Sequence, residues 1–208
     1  MSIDPEGFVR QVNQLHRETV ARWHTMDPDK RYEDELGTVC QQHQFNYLLW
    51  HEEDVARSRD VSDARIAMVK RAIDGYNQQR NDWIERIDEH LIESLSEAGV
   101  QPAEEARLNT ETPGSAIDRL SIMSLRIYHL QEQLERDDVD EAHTAKVQQR
   151  MLRCQAQQTD LSQSLSDLLA DLYSGRKLLK VYRQMKMYND PTLNPALYAK
   201  SEGQRRVA

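Results

Sequence analysis

The chain contains few of the residues that interrupt helices or cross-link a fold. Its 208 residues include only seven Gly, six Pro and two Cys. Because Gly and Pro supply most turns and helix ends, their scarcity predicts long uninterrupted helices. Cys40 and Cys154 both fall on apolar helical faces. We therefore expect two reduced thiols and no disulfide framework.

Long hydrophobic runs are absent as well. No stretch reaches the roughly 18 apolar residues that a membrane-spanning helix needs, and residues 1–18 contain no apolar signal core. The formal net charge of −8 at pH 7 opposes general binding to nucleic acid, whose phosphates are also negative. We expect a cytoplasmic protein with no membrane span and no nucleic-acid partner.

Apolar residues recur at steps of three and four along most of the chain. This spacing predicts five long helices and a short sixth one, over about 5–26, 32–58, 63–98, 113–136, 141–175 and 177–187. Alternation of period two is absent, so we predict no strand. The sequence thus predicts an all-α antiparallel bundle. We expect one domain over residues 1–198 and a polar tail over 199–208.

The fifth predicted helix carries a heptad stripe that one polar residue, Gln158, interrupts. Its members are Val147, Met151, Cys154, Gln158, Leu161, Leu165, Leu168 and Leu172. Such a stripe is typical of a helix–helix seam, and a polar residue within a seam can fix its register. The seam would serve either the bundle itself or a homodimer.

Charged residues occupy positions where the helices should be apolar. Arg80 fills a gap in the stripe of the third helix, and Asp118 and His129 lie on the second apolar face of the fourth. Buried ions are costly unless they are paired and hydrogen-bonded. These positions predict an interior polar site. The alternative is a structural network in which Arg80 bridges carboxylates from helices two and four.

Two further segments offer candidate site residues. His51 and Asp54 lie three apart on one face of helix two, which suits a proton-transfer pair or a divalent metal. The alternative is an ion pair between Asp54 and Arg57. The last segment carries Lys180 and Arg183, which could hold a phosphate or carboxylate or could form a solvated face. His16 and His24 are interpreted as packing residues.

Four segments resemble an uncharacterised bacterial family, catalogued as domain of unknown function four-two-five-four. They are NYLLWHEEDVAR, IDGYNQQRNDWIERID, NTETPGSAIDRLSIMSLRIYHLQEQ and GRKLLKVYRQMKMYNDPTLNPALY, spanning Asn46 to Tyr198. The resemblance implies a bacterial cytosolic protein, associated with gene neighbourhoods for cell-envelope glycans and glycosyltransferases. It assigns these polar residues to the family pattern: His51, Glu53, Asp54, Arg57, Asn77, Arg80, Asp82, Glu85, Asp118, Arg119, His129, Lys180, Lys186, Tyr188, Asn189 and Asp190.

Together these observations predict a pocket that binds a small anionic ligand, such as a sugar phosphate or nucleotide sugar. The candidate catalytic residues are His51, Asp54, Glu85, Asp118 and His129. The candidate ligand-binding residues are Arg57, Asn77, Arg80, Arg119, Lys180, Arg183 and Lys186. Oxygen and imidazole ligands would suit magnesium, manganese or zinc as a divalent metal. The alternative is a non-enzymatic dimeric scaffold, or a glycosyltransferase partner, whose buried charges are structural.

Overall fold

The computed structural model describes residues 4–198, which form five long helices, a 3₁₀ helix and two short strands. The long helices are α1 (Pro5–Trp23), α2 (Asp34–Arg57), α3 (Asp63–Glu97), α4 (Pro113–Leu134) and α5 (Glu141–Tyr173). The strands are β1 (Arg107–Leu108) and β2 (Lys177–Leu178), and the 3₁₀ helix is Met187–Asn189. The predicted all-α class is confirmed.

Local capping explains where three of the helices begin. The Ser62 hydroxyl accepts from the Arg65 N–H at the start of α3, and the Thr112 hydroxyl accepts from the Ser115 N–H at the start of α4. Asp140 does the same for α5. These side chains satisfy backbone N–H groups that have no partner within the helix. Short-range chemistry therefore sets these starts, as the sequence predicts.

Helices α1 and α2 run in the same direction, whereas α3 and α5 run against the helices that precede them. The ring pairs His16–His43 and His24–His51 advance together along α1 and α2. Short turns before α3 and α5 reverse the chain and make each pair antiparallel. The longer loop after α1 leads back along it, and the Tyr32 hydroxyl in this loop donates to Glu18 of α1 at 3.3 Å.

Helix α4 lies at the centre of the bundle and contacts all four other long helices. Ile117 and Leu120 are fully buried and Leu125 nearly so. A helix that is apolar around much of its circumference can bury several faces at once. This arrangement brings polar side chains of α4 next to α1, α2 and α3, where the candidate site lies.

The α5 seam packs within the chain. Val147, Met151, Leu165, Leu168 and Leu172 are all buried in the single chain. Leu165 belongs to the main core cluster together with residues of α1, α2, α3 and α4. The seam is therefore part of the monomer core.

The predicted helix over 177–187 is wrong. The chain is extended at β2 and then follows an irregular path along α3. The Arg183 guanidinium binds Glu85 and Glu89, and the backbone N–H of Gln184 donates to Glu85 over 2.7 Å. The bond to Glu85 satisfies the Gln184 N–H, which a local helix would otherwise pair, and the Arg183 contacts hold the segment against α3. Tertiary contacts thus override the apolar spacing.

The two strands were not predicted either. They pair in parallel, with Arg107 opposite Lys177 and Leu108 opposite Leu178. Two residues are too few to show period-two alternation, so the sequence contains no signal for them. Gly175 precedes β2 with a φ of +74°, and a Cβ there would lie 2.6 Å from the Gln101 carbonyl oxygen. Glycine thus permits the close approach that sets up the strand pair.

No helix within residues 4–198 combines the length and the apolar character needed to cross a membrane. Cys40 is buried and Cys154 half-buried, and both thiols are free.

Candidate functional site

Asp118 is the centre of a buried polar network between α2, α3 and α4. Its Oδ1 accepts hydrogen bonds from Gln42 Nε2 at 2.6 Å, Asn46 Nδ2 at 2.9 Å and Arg80 Nε at 2.7 Å. Arg80 also donates through Nη2 to Asp118 Oδ2. The arginine in the apolar stripe therefore has its counter-ion on α4, while α2 contributes two amides in place of the carboxylate that the bridging network would require.

The network continues towards α1 through neutral groups. Asn46 Nδ2 also donates to Ser121 Oγ at 2.8 Å, and His43 Nδ1 lies 2.7 Å from the same hydroxyl. Burial lowers the pKa of His43 to about 3, and burial followed by repulsion from His43 lowers the pKa of His16. Both imidazoles are thus neutral at neutral pH, and this part of the core carries no net cation.

A cavity of about 360 Å³ opens beside this network, between α2, α3 and α4. It is lined by Asn46, Leu49, Trp50, Glu53, Asp54, Arg57, Asn77, Arg80, Ile122 and Leu125. Its two guanidinium groups already have carboxylate partners, because Arg57 binds Glu53 at 2.7 Å and Arg80 binds Asp118. An anion in this cavity would have to compete with those carboxylates.

Predicted residues of the C-terminal segment lie along α3. Arg183 Nη1 donates to Glu85 Oε2 at 3.0 Å, and Lys186 Nζ donates to the Asn77 carbonyl at 3.2 Å. Lys180 is exposed. Glu85 therefore anchors the segment by accepting hydrogen bonds, which limits its use as a free acid or base.

Arg119 occupies a different face of α4 from Asp118. Its Nη1 donates to Glu111 Oε1 at 2.7 Å, and both residues line a cavity between α4 and α5. Arg80, Arg119 and Arg183 are thus each bound to a carboxylate. The structure does not gather them around one ligand position.

Three histidines from three helical regions come together next to Trp50. We call His24, just beyond α1, His51 on α2 and His129 on α4 the histidine cluster. One ring nitrogen of each lies within 4.8 Å of the others. The sequence singled out His51 and His129 but not His24. No spacing rule links the end of α1 to positions on α2 and α4, so only the tertiary fold reveals the third member.

Hydrogen bonds fix the proton positions on two of these rings. His24 Nδ1 lies 2.7 Å from the Val20 carbonyl oxygen and His129 Nδ1 lies 2.7 Å from Glu132 Oε2. A carbonyl or carboxylate oxygen only accepts, so Nδ1 carries the proton and Nε2 keeps its lone pair when the ring is neutral. Burial, followed by repulsion from His24 and His129, lowers the pKa of His51.

The Nε2 atoms of all three rings are buried and have no hydrogen-bond partner among the described residues. Aromatic rings hold them in place: the centroid separations are 4.2 Å for Tyr128–His24, 4.7 Å for Trp50–His129 and 4.5 Å for Tyr47–His51. Buried polar atoms without a partner are unfavourable, and here three of them occur in one place.

A second cavity, of about 490 Å³, lies between α2, α4 and α5 next to His129. We call it the arginine cleft, and its lining residues are Trp50, Asp54, Arg126, His129, Leu130, Glu132, Gln133, Arg150, Arg153 and Cys154. Trp50 and Asp54 also line the cavity beside Arg80, so the two cavities share a wall. Nothing in the sequence distinguishes Arg126, Arg150 or Arg153 from other arginines, because exposed arginines on helices are common.

The arginine cleft brings together three cations that have no ion-pair partner within residues 4–198. Arg126, Arg150 and Arg153 are exposed, and none forms a hydrogen bond or salt bridge there. Two carboxylates face them, and one of these, Glu132, is bound to His129. Guanidinium groups grouped in this way are suited to phosphate or carboxylate ligands.

Comparison with known proteins gives one finding. No curated protein and no solved structure shows significant similarity to this chain. A family model described as "Protein of unknown function (DUF4254)" matches residues 36–181. The matched region contains Arg80, Asp118, His51 and His129, and it begins after His24. Because the match covers most of the sequence from α2 to β2, the chain belongs to the DUF4254 family of proteins of unknown function.

Proposed function

We propose that this protein binds a small anionic ligand, such as a sugar phosphate or nucleotide sugar, in the arginine cleft. The observation that carries the proposal is the set of three guanidinium groups without carboxylate partners, Arg126, Arg150 and Arg153. They stand out in a chain whose formal net charge is −8. A phosphate can satisfy two or three such groups through bidentate hydrogen bonds.

The shape and chemistry of the cleft support this proposal. Trp50 and Leu130 supply apolar surface on which a sugar or base could pack, and Asp54 supplies an acceptor for hydroxyl groups. His129 also lines the cleft, and its Nδ1 donates to Glu132. Three of the predicted catalytic residues, His51, Asp54 and His129, thus lie in or beside the cleft, whereas Glu85 and Asp118 are engaged elsewhere.

The proposed setting is the bacterial cytoplasm, in the biosynthesis of cell-envelope glycans. This part rests on the family resemblance of the sequence and on the chemistry of the ligand, since nucleotide sugars and sugar phosphates are the precursors of such glycans.

Thermal unfolding and calorimetry with inorganic phosphate, glucose 1-phosphate and UDP-glucose test the proposal. A ligand at a hundred times its Kd stabilises the folded state by about 2.7 kcal/mol. That raises the Tm of a chain of this size by roughly 5–10 °C. We expect at least one of the three probes to produce such a shift.

Variants then locate the site. Exchanging Arg150 and Arg153 together for Gln should weaken binding at least about tenfold, because each charge-assisted hydrogen bond contributes about 1.5–3 kcal/mol. Arg71→Gln, an exposed arginine of α3 without an ion pair, is the matched control. Arg80→Gln should lower Tm but leave the ligand-induced shift. No shift with any probe, or equal affinity in the double variant and the control, would contradict the proposal.

A second candidate is a scaffold or glycosyltransferase partner without a ligand of its own. The observation in its favour is the Asp118 network, where Arg80 and its acceptor neutralise each other and three helices are tied together. Co-purification with a glycosyltransferase, combined with no response to the three anions, would favour this candidate.

A further inference from the structure

We propose that the histidine cluster is a transition-metal site, with Zn²⁺ as the preferred ion. His24, His51 and His129 are its ligands, each through Nε2. This inference does not depend on the proposed anion-binding function, because its evidence is three imidazole nitrogens and not the guanidinium groups of the arginine cleft. His129 is the one ligand of the cluster that also lines the cleft.

The arrangement of the ring nitrogens fits such an ion closely. At Zn–N distances of about 2.0–2.1 Å, tetrahedral ligand nitrogens lie about 3.3 Å apart. One ring nitrogen of each histidine lies within 4.8 Å of the corresponding nitrogens of the other two. Bringing them to zinc distance therefore takes a contraction of at most about 1.5 Å, which small side-chain rotations can provide.

The hydrogen bonds of the other ring nitrogens match those of known metal sites. A ligating histidine usually donates its second N–H to a carbonyl or carboxylate, which fixes the tautomer and orients the ring. His24 makes this bond to the Val20 carbonyl, and His129 makes it to the Glu132 carboxylate. Both Nε2 lone pairs are thereby left available for a cation.

Hydrogen bonding alone does not explain why these three buried ring nitrogens lie together. Two of its Nε2 atoms carry lone pairs and so cannot donate to each other, and all three lie away from solvent with no partner in the described chain. A divalent ion would satisfy all of them together. Aromatic rings pack against each of the three histidines, two of them stacked and one edge-on, which restricts the motion of the cluster and reduces the ordering cost of binding.

The donor set identifies the class of ion. Three imidazoles favour zinc, copper or nickel over magnesium and manganese, which prefer oxygen ligands. The histidine cluster is the one group of three His, Cys, Asp or Glu within residues 4–198 that could hold a metal. Three protein ligands leave one tetrahedral position for water or an added anion, as in zinc sites of the catalytic type.

Zinc titration of the full-length chain, without a polyhistidine tag, tests the inference. The protein is stripped with EDTA, exchanged into phosphate-free buffer and titrated with ZnCl₂ by calorimetry, with a chromophoric chelator as competitor. We expect one Zn²⁺ per chain. Co²⁺ should give the visible d–d bands of a tetrahedral site, a measurement that needs no variant.

Single exchanges of His24, His51 and His129 for Ala should each weaken zinc binding more than about 100-fold, since two imidazoles make a poor site. Glu132→Ala should weaken it about tenfold through the lost support of His129. His90→Ala is the matched control, a half-buried histidine whose Nδ1 lies near Thr38 on the far part of α2. Circular dichroism of each stripped variant verifies folding.

A wild-type chain that takes up no zinc and gives no tetrahedral Co²⁺ spectrum would overturn the inference. So would a folded His24→Ala chain with wild-type affinity. Because the titration contains no phosphate or sugar ligand, a negative result leaves the anion-binding proposal standing, and loss of anion binding leaves this one standing.

Discussion

The position of Arg80 in the apolar stripe of α3 predicts only part of its surroundings. Its place in the apolar stripe of α3 correctly predicts that it is engaged by other polar groups. The identity of those groups depends on Gln42, Asn46 and Asp118, which are distant in sequence. The ion pair between Arg80 and Asp118 joins α3 to α4.

Asp88 provides a pH-dependent prediction. It is 2% exposed and accepts a hydrogen bond from the Gly114 N–H at 2.7 Å. Burial raises its pKa from 3.8 to about 6, against the opposing effect of hydrogen bonds from Thr112 and Gly114. The folded state thus binds the proton more tightly than the unfolded chain. The resulting stabilisation is complete below about pH 3.8 and is lost as the pH rises through about 6.

Asp88→Asn keeps an acceptor oxygen but cannot ionise. Between pH 4 and 7 we expect the unfolding free energy of the wild type to fall relative to that of Asp88→Asn, by up to about 3 kcal/mol. Urea unfolding at several pH values measures the difference, with exposed Glu93→Gln on the same helix as the control. Parallel pH profiles of wild type and Asp88→Asn would contradict the assignment.

The contact between helices α3 and α4 depends on a glycine. A Cβ at Gly114 would lie 2.5 Å from the Ile84 carbonyl oxygen and 3.0 Å from Asp88 Oδ1. Gly114→Ala should therefore push the helices apart and destabilise the protein by about 1–3 kcal/mol. Gly75 on α3 is the matched control, because its Cβ would meet no atom within 4 Å.

Gly75→Ala should stabilise the protein by about 0.5–1 kcal/mol, since alanine is the better helix former. Urea unfolding of the two variants should thus give changes of opposite sign. A neutral Gly114→Ala would show that α3 and α4 do not approach each other as closely as described.

The C-terminal segment shows why apolar spacing can predict the wrong secondary structure. Leu178, Val181 and Met185 have helical spacing, yet the segment is extended or irregular. Its hydrogen-bond partners, Glu85 and Glu89, lie about a hundred residues earlier in the chain. Helix propensity depends on residues close in sequence, so it cannot predict these contacts.

At the scale of the whole molecule, the apolar seam of α5 is part of the core of the single chain. Leu165 is 1% exposed, so Leu165→Asp should destabilise the fold by about 3–5 kcal/mol at any protein concentration. Leu152, 67% exposed on the same helix, is the control, and Leu152→Asp should have little effect on stability. The Tm of the wild type and of both variants is measured over a range of protein concentrations, and light scattering gives the mass of each.

A wild-type Tm that rises with concentration, together with a folded monomeric Leu165→Asp, would instead indicate that the seam joins two chains. Homodimer formation remains a prediction for any other surface.

Sequence alone predicts the helical class, the starts of α3, α4 and α5, and the second apolar face of α4. These follow from capping side chains and apolar spacing, which act over a few residues. Three features depend on the tertiary structure: His24 lies with His51 and His129, the three arginines of the cleft lie together, and each predicted arginine binds a particular carboxylate. Such neighbours come from helices far apart in the chain, and only the packing of whole helices brings them within bonding distance.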